Sequence, residues 1–214
     1  MLQKIINRLR RGLDDLQPRN RQWRREMAER DARFDAEHGV DTTPGDAIRN
    51  LTIDSPNRHK SFGHIASQPE EFARSMRALP IRYEDFAFVD LGSGKGRALL
   101  LALEYPFRER IGVEFARELY EIAQTNLQGK AVKLVPGDAT EYTFPDGPLV
   151  VFLYNPFGGE IMARVAQRLR SHASTLYIVY VNPFHLDPWF EQGFEVIKRG
   201  EPFVILAPGK ARSE

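Results

Sequence analysis

The stretch Asp90-Leu91-Gly92-Ser93-Gly94-Lys95-Gly96-Arg97 has the residue types and spacing best suited to chemistry. Four apolar residues, 86–89, precede it, and the helix-forming residues 98–103 follow it. Glycines allow a backbone with positive φ and close approach to a ligand. Bare amides at a helix N-terminus bind anions, whereas a carboxylate at the end of a strand attracts a cation. The stretch therefore predicts a site for a ligand that carries an ammonium group.

Two phosphate-binding motifs do not fit this turn. The dinucleotide fingerprint G-x-G-x-x-G requires a glycine at the position of Arg97, and no G-x-x-x-x-G-K-S/T sequence can be aligned here. A nicotinamide-dependent oxidoreductase is kept as an alternative, although both Arg97 and Asp90 oppose it.

From residue 86 onward, apolar runs of strand length alternate with helical patterns. This alternation predicts an α/β fold with a mostly parallel sheet that is covered on both faces. A closing hairpin predicts one antiparallel strand. The predicted strands are 86–90, 110–114, 132–135, 149–154, 175–181, 194–197 and 202–206, and the predicted helices are 97–104, 117–127, 160–170 and a short one near 188–190.

Polar residues stand at the ends of five predicted strands. In open α/β sheets, ligands bind beyond the carboxyl ends of the strands. Each residue alone could be a helix cap or a turn residue, but with the glycine turn the set predicts a binding site at this edge. The five residues are Asp90, Glu114, Asp138, Asn155 and Asn182.

Residues 86–182 resemble the class I S-adenosylmethionine-dependent methyltransferases. The resemblance is carried by Val-Asp-Leu-Gly-Ser-Gly-Lys-Gly-Arg, Ile-Gly-Val-Glu-Phe, Gly-Asp-Ala-Thr and Tyr-Asn-Pro-Phe-Gly, in the order and spacing of the family. It implies a Rossmann-like, seven-stranded, mostly parallel sheet with one antiparallel strand, preceded here by an N-terminal helical extension. The implied cofactor is S-adenosyl-L-methionine (SAM).

The same resemblance implies roles for individual residues. Asp90 would face the cofactor ammonium, Glu114 would accept from both ribose hydroxyls, and Asp138 would accept from the adenine amine. The glycine turn would pass under the methionine part. The implied cofactor-binding residues are Asp90, Gly92, Ser93, Gly94, Gly96, Glu114, Asp138, Ala139 and Asn155.

Two Asn-Pro-Phe sequences follow neighbouring strands, at 155–157 and 182–184. The first resembles the Asn-Pro-Pro-aromatic motif of enzymes that methylate planar amino groups. Its surroundings also resemble non-SET histone-lysine methyltransferases. We expect Asn155 and Phe157 to position the acceptor, an amine nitrogen such as that of a protein lysine, with Phe157 and Phe184 forming an aromatic channel. A small-molecule acceptor stays open.

A sulfonium donor is already activated and positioning supplies most of the rate, so methyl transfer needs little acid–base catalysis. The sequence identifies no secure general base. His64, Tyr154 and Asp187 are the candidates for a general base. A non-catalytic SAM-binding module that acts through a partner is therefore a second hypothesis.

The expected organisation has three parts: a basic helical arm at 1–38, a connector and lid at 39–80, and a SAM-binding domain at 81–214. Residues 1–30 contain nine Lys and Arg residues and four Asp and Glu residues, although the whole chain has a net charge of only +1. We expect the arm to cover the domain or to mediate a homo-oligomer. Binding of the arm to a membrane surface or to nucleic acid is the weaker alternative.

The chain contains no cysteine, which excludes disulfides and thiolate metal sites, and we expect no metal. The sequence has no apolar run long enough to cross a membrane. We expect a cytoplasmic protein whose acceptor is a protein or a small molecule rather than a nucleic acid.

Overall fold

The computed structural model describes residues 18–44, 52, 66–154, 156–172 and 174–209. The chain divides into two compact units, Met1–Thr43 and Pro44–Glu214. Within the described residues, no helix is both long and apolar enough to span a membrane.

The first unit contains helix α1, Pro18–His38. Near its end the ring of Phe34 stacks on that of His38, with centroids 4.1 Å apart. The Asp35 carboxylate accepts hydrogen bonds from the backbone amides and hydroxyls of Thr42 and Thr43. Burial raises the pKa of Asp35, but the four hydrogen bonds together lower it by more, so the net shift of the pKa is downward. The carboxylate thus fixes the turn that ends the unit.

The second unit contains the alternating elements that the sequence predicts. Helix α2 (Pro69–Arg77) and a 3₁₀ turn (Tyr83–Asp85) come first. The remaining elements are β1 (Ala87–Leu91), α3 (Arg97–Ala102), β2 (Glu109–Glu114), α4 (Arg117–Asn126), β3 (Lys133–Pro136), β4 (Leu149–Tyr154), α5 (Gly159–Arg170), β5 (Leu176–Val181), α6 (Asp187–Glu191), β6 (Phe194–Arg199) and β7 (Phe203–Pro208).

These strands form one sheet in the order β3-β2-β1-β4-β5-β7-β6. The pairs from β3 to β5 are parallel, and β7 is antiparallel to both β5 and β6. The prediction of a seven-stranded sheet with one antiparallel strand is therefore confirmed. The order reverses between β1 and β4, where a ligand is expected beyond the strand ends.

One face of the sheet packs on α5, through a cluster that includes Val89, Val151 and Val165. On the other face, the Phe72 ring of α2 lies 5.9 Å from the Phe88 ring and 5.2 Å from the Phe152 ring. Aromatic pairs at these distances add to the stabilisation from burial. This second face carries the charged residues of the candidate site.

Candidate functional site

A left-handed glycine turn joins β1 to α3. Gly92, Gly94 and Gly96 have φ of 78°, 53° and 89°, values that favour glycine. The amides of Gly92 and Ser93 donate to the Val113 carbonyl at 2.9 and 3.1 Å. The turn is therefore held against the end of β2.

Gly92 also makes room for the turn that follows β4. A Cβ atom at Gly92 would lie 2.8 Å from Pro156 Cβ and 3.6 Å from the Phe157 ring. The glycine turn and the first Asn-Pro-Phe turn are therefore in direct contact. Asn155 itself lies outside the described residues, so its expected roles stay predictions.

Asp90 is buried behind this turn rather than facing solvent. It pairs with Gly112 of β2 and Phe152 of β4, and it is only 3% exposed. The strand continues one residue beyond Asp90, to Leu91, whereas the sequence pattern placed the strand end at Asp90. Burial raises the pKa of Asp90 to about 8, and the neighbouring Glu114 carboxylate adds to that rise. A cation beside Asp90 would offset both effects.

Glu114, the last residue of β2, is held by the backbone. Gly94 N–H donates to Oε2 at 2.7 Å and Ala116 N–H donates to Oε1 at 2.8 Å. Burial raises the pKa of Glu114 to about 7, although these amide hydrogen bonds lower it. A carboxylate oxygen has two lone pairs, so each oxygen can accept one more hydrogen bond. Glu114 can therefore accept from two adjacent hydroxyls, as a ribose requires.

Asp138 and Ala139 lie at the other end of the site. The Asp138 carboxylate accepts from the amide and the hydroxyl of Thr140, both at 2.8 Å, in the turn after β3. A groove of about 420 Å³ runs past Asp138, from Val113 to Thr143. Next to it, a pocket of only about 10 Å³ lies between Gly92, Ala139 and Phe157, which is room for a single water.

The donors and acceptors present fit SAM. Two buried carboxylates suit its ammonium and its ribose, and the glycine turn offers close backbone approach. The buried Ser93 hydroxyl oxygen has no hydrogen-bond partner among the described residues, so a polar group can be added here. The small pocket lies between the glycine turn and the turn at Pro156 and Phe157.

The two Asn-Pro-Phe turns present their aromatic rings differently. Phe157 is 5% exposed and belongs to the core, whereas Phe184 is 75% exposed. A Cβ atom at Gly159 would lie 3.5 Å from the His185 ring, so the two turns are neighbours. The expected channel between the two rings is not formed, because core packing buries only one of them.

The candidate bases are not equivalent. His64 lies outside the described residues, and Asp187 is an exposed residue in the first turn of α6. The Tyr154 hydroxyl donates to Glu71 Oε2 at 2.9 Å, so Tyr154 acts as a donor here rather than as a proton acceptor. Glu71 was not among the predicted residues, because nothing local links positions so far apart in the sequence. No group of three or more potential metal ligands occurs in the described part of the chain.

The comparisons with known proteins concern the domain that contains the glycine turn. Residues 89–155 match the family model of a methyltransferase domain. No curated protein matches the chain significantly in sequence.

Two solved structures illustrate the fold. The pyocyanin biosynthetic protein PhzM is 18% identical with a TM-score of 0.54, covering 64% of this chain and 54% of its own. This chain thus spans about half of PhzM. An RNA methyltransferase from Salinibacter ruber, in complex with S-adenosyl-L-homocysteine (SAH), is 16% identical with a TM-score of 0.52, covering 70% of this chain and 97% of its own.

The sheet order, the glycine turn and the matched domain define a class I methyltransferase fold with SAM as the implied cofactor. Residues 89–155 are therefore similar in sequence to a methyltransferase domain, and the sheet that contains them has the class I methyltransferase fold. This finding favours the methyltransferase interpretation over the oxidoreductase.

Proposed function

We propose that the chain transfers a methyl group from SAM to an amine nitrogen, with a protein lysine as the leading acceptor. The observation that carries the proposal is the pair of buried carboxylates beside the glycine turn. Asp90 is suited to the cofactor ammonium and Glu114 to the ribose. Burying two carboxylates together is costly unless a cation accompanies them, and SAM supplies that cation.

SAM supplies a methyl group on a positively charged sulfur. The amine lone pair forms the new N–C bond while the C–S bond breaks, and the sulfur keeps that electron pair as SAH is released. An amine that arrives protonated first loses its proton to solvent. The residues of this chain therefore need only hold the nitrogen in line with the methyl group.

Asn155 and Phe157 are the residues that we propose to position the acceptor. The contact between Pro156 and Gly92 supports this proposal, because it puts their turn directly against the proposed cofactor site. A small-molecule acceptor is the second candidate, since PhzM is described as a biosynthetic protein. RNA is a third outcome to be tested, because another similar structure is an RNA methyltransferase.

The direct test is incubation of the protein with methyl-labelled SAM and cell lysate. Labelled products are separated into protein, RNA and small-molecule fractions, and the protein fraction is searched for methyllysine by mass spectrometry. We expect label in protease-sensitive material with the wild type and none with Asp90→Ala. Glu121→Ala, which alters an exposed ion pair with Arg117, is the matched control and should label normally.

Two other results would redirect the proposal. A protein that binds SAH but labels nothing is the non-catalytic module, acting through a partner. Label confined to small molecules or to RNA would replace the lysine acceptor. A cytoplasmic location and a homo-oligomer formed through the N-terminal helix belong to the same proposal. Cell fractionation and sedimentation of the full chain test them.

A further inference from the structure

We infer that Glu71 and Tyr154 form the acceptor-recognition pair of this site and select a positively charged amine. This inference rests on the proposed function and deepens it, because it names the residues that choose the acceptor. It starts from the hydrogen bond that the Tyr154 hydroxyl donates to Glu71 Oε2, 2.9 Å long and half-buried, between residues 83 positions apart.

The position of Tyr154 brings this pair to the glycine turn. Tyr154 is the last residue of β4, and side chains alternate between the two faces of a sheet. Tyr154 therefore shares the face of Phe152, which pairs with Asp90. Continuing the parallel register by two residues sets Tyr154 opposite Gly92. The pair thus stands on the face that carries Asp90, directly before the Asn155-Pro156-Phe157 turn.

Helix α2 holds Glu71 in place. Phe72, the next residue, is buried against Phe88 and Phe152, so the helix cannot slide along the sheet without losing these contacts. Phe72 contacts Phe152 of β4, and Glu71 contacts Tyr154, two residues further along the same strand. The carboxylate is therefore a fixed part of this edge.

The chemistry of the pair suits an ammonium or a primary amine. Glu71 lies in the first turn of α2, where the helix dipole favours negative charge. Tyr154 occupies one oxygen of the carboxylate and orients it, while Oε1 keeps acceptor capacity. An amine N–H can donate to that oxygen, and a half-buried carboxylate attracts an ammonium more strongly than an exposed one does.

Two carboxylate sites then have separate tasks. Asp90 and Glu114 would hold the cofactor, whereas Glu71, positioned by Tyr154, would hold the incoming amine. A neutral hydroxyl could donate to Glu71 but would lack the attraction between opposite charges, and a ring carbon would gain neither interaction. This difference selects the class of acceptor.

The test measures binding and transfer separately in Glu71→Gln and Tyr154→Phe. SAH affinity is measured by calorimetry, and the initial rate of labelling is measured against lysate concentration to give the apparent KM and kcat. We expect SAH affinity within about twofold of the wild type. The apparent KM should rise about tenfold or more for Glu71→Gln and less for Tyr154→Phe.

Matched controls separate recognition from structure. Glu70→Gln makes the same charge change in the same helical turn, and Tyr177→Phe removes a hydroxyl from β5 beside Phe86. Both should retain the wild-type KM. A Glu71→Gln protein with unchanged KM overturns the inference, and so does one that loses SAH affinity, since Glu71 would then serve the cofactor or the fold.

A second measurement does not need turnover. Saturation-transfer NMR on the SAH-loaded full chain compares n-butylammonium with 1-butanol as probes. We expect the wild type to prefer n-butylammonium and Glu71→Gln to lose that preference. No preference in the wild type overturns the inference. A wild type that shows the preference but labels nothing contradicts only the proposed transfer reaction.

Discussion

At β1 and β2, the site consists of two buried carboxylates, of which Glu114 is held by backbone amides. At β4 and β5, it consists of side chains with unequal exposure. Glu114 is held by two amides within 2.8 Å. By contrast, Phe157 belongs to the core and Phe184 faces solvent. Under the proposed function, backbone contacts hold the cofactor edge at β1 and β2, whereas side chains at β4 and β5, the acceptor edge, can be exchanged to suit a particular substrate.

The largest expected effect contrasts the two aromatic rings. Phe157→Ala removes a buried ring from the core and should cost about 3–5 kcal/mol of unfolding free energy. Phe184→Ala removes an exposed ring and should change stability by less than about 0.5 kcal/mol. Denaturant unfolding measures both. Equal losses would mean that the two turns do not differ as described.

The next effect concerns the cofactor edge. Asp90→Asn should weaken SAH binding by about a hundredfold, because it leaves the cofactor ammonium without a charged partner in a buried site. Calorimetry measures the affinity, with Glu121→Gln as the exposed control. Asp90→Asn should still unfold cooperatively. Binding as tight as that of the wild type would remove Asp90 from the cofactor site.

A pH dependence follows from the raised pKa values of Asp90 and Glu114. In the unbound protein, the stability that comes from their protonated forms is present below the unfolded pKa values and is lost as the pH rises through about 7 to 8. SAH needs the ionised forms, so its binding should release protons. Affinity should tighten by up to about tenfold per pH unit for each of the two carboxylates between pH 5.5 and 7.5. Calorimetry in buffers of different ionisation enthalpy detects the protons, and a flat profile would contradict the assignment.

A smaller effect concerns the contact between the two edges. Gly92→Ala and Gly129→Ala both replace glycines with φ above 70°, at a cost of about 1–2 kcal/mol each. Only Gly92 faces a neighbour, Pro156, whereas a Cβ atom at Gly129 would meet nothing within 4 Å. Gly92→Ala should therefore be the more destabilising and should also weaken SAH binding. Equal losses of stability would mean that Pro156 moves away from the new methyl group without a cost in free energy.

The smallest expected effect is on cofactor affinity when residues 1–30 are deleted. We predict unchanged SAH binding and an altered oligomeric state, measured by calorimetry and sedimentation. Lost SAH binding would show that the N-terminal arm belongs to the pocket.

The core elements were predictable because their signals are local. The apolar run 149–154 gives β4 with the predicted bounds, and β2 and β5 differ from prediction by one residue. Continuous apolar runs of strand length follow directly from burial on both faces of a sheet. The glycine turn was predictable for the same reason, since positive φ requires glycine at fixed positions.

The contacts between distant segments were not predictable from the sequence. The pairing of Glu71 with Tyr154 depends on how α2 packs on the sheet through Phe72. No sequence pattern around either residue predicts this contact. The burial of Phe157, unlike Phe184, depends on α5 covering that part of the sheet. The two identical tripeptides therefore do not predict that one phenylalanine ring is buried and the other exposed.

The most direct test of the central claim is a crystal structure of the full chain with SAH bound. We predict that the SAH ammonium lies within hydrogen-bond distance of Asp90, directly or through one water, and that both ribose hydroxyls donate to Glu114. A complex in which SAH binds away from these two carboxylates would contradict it.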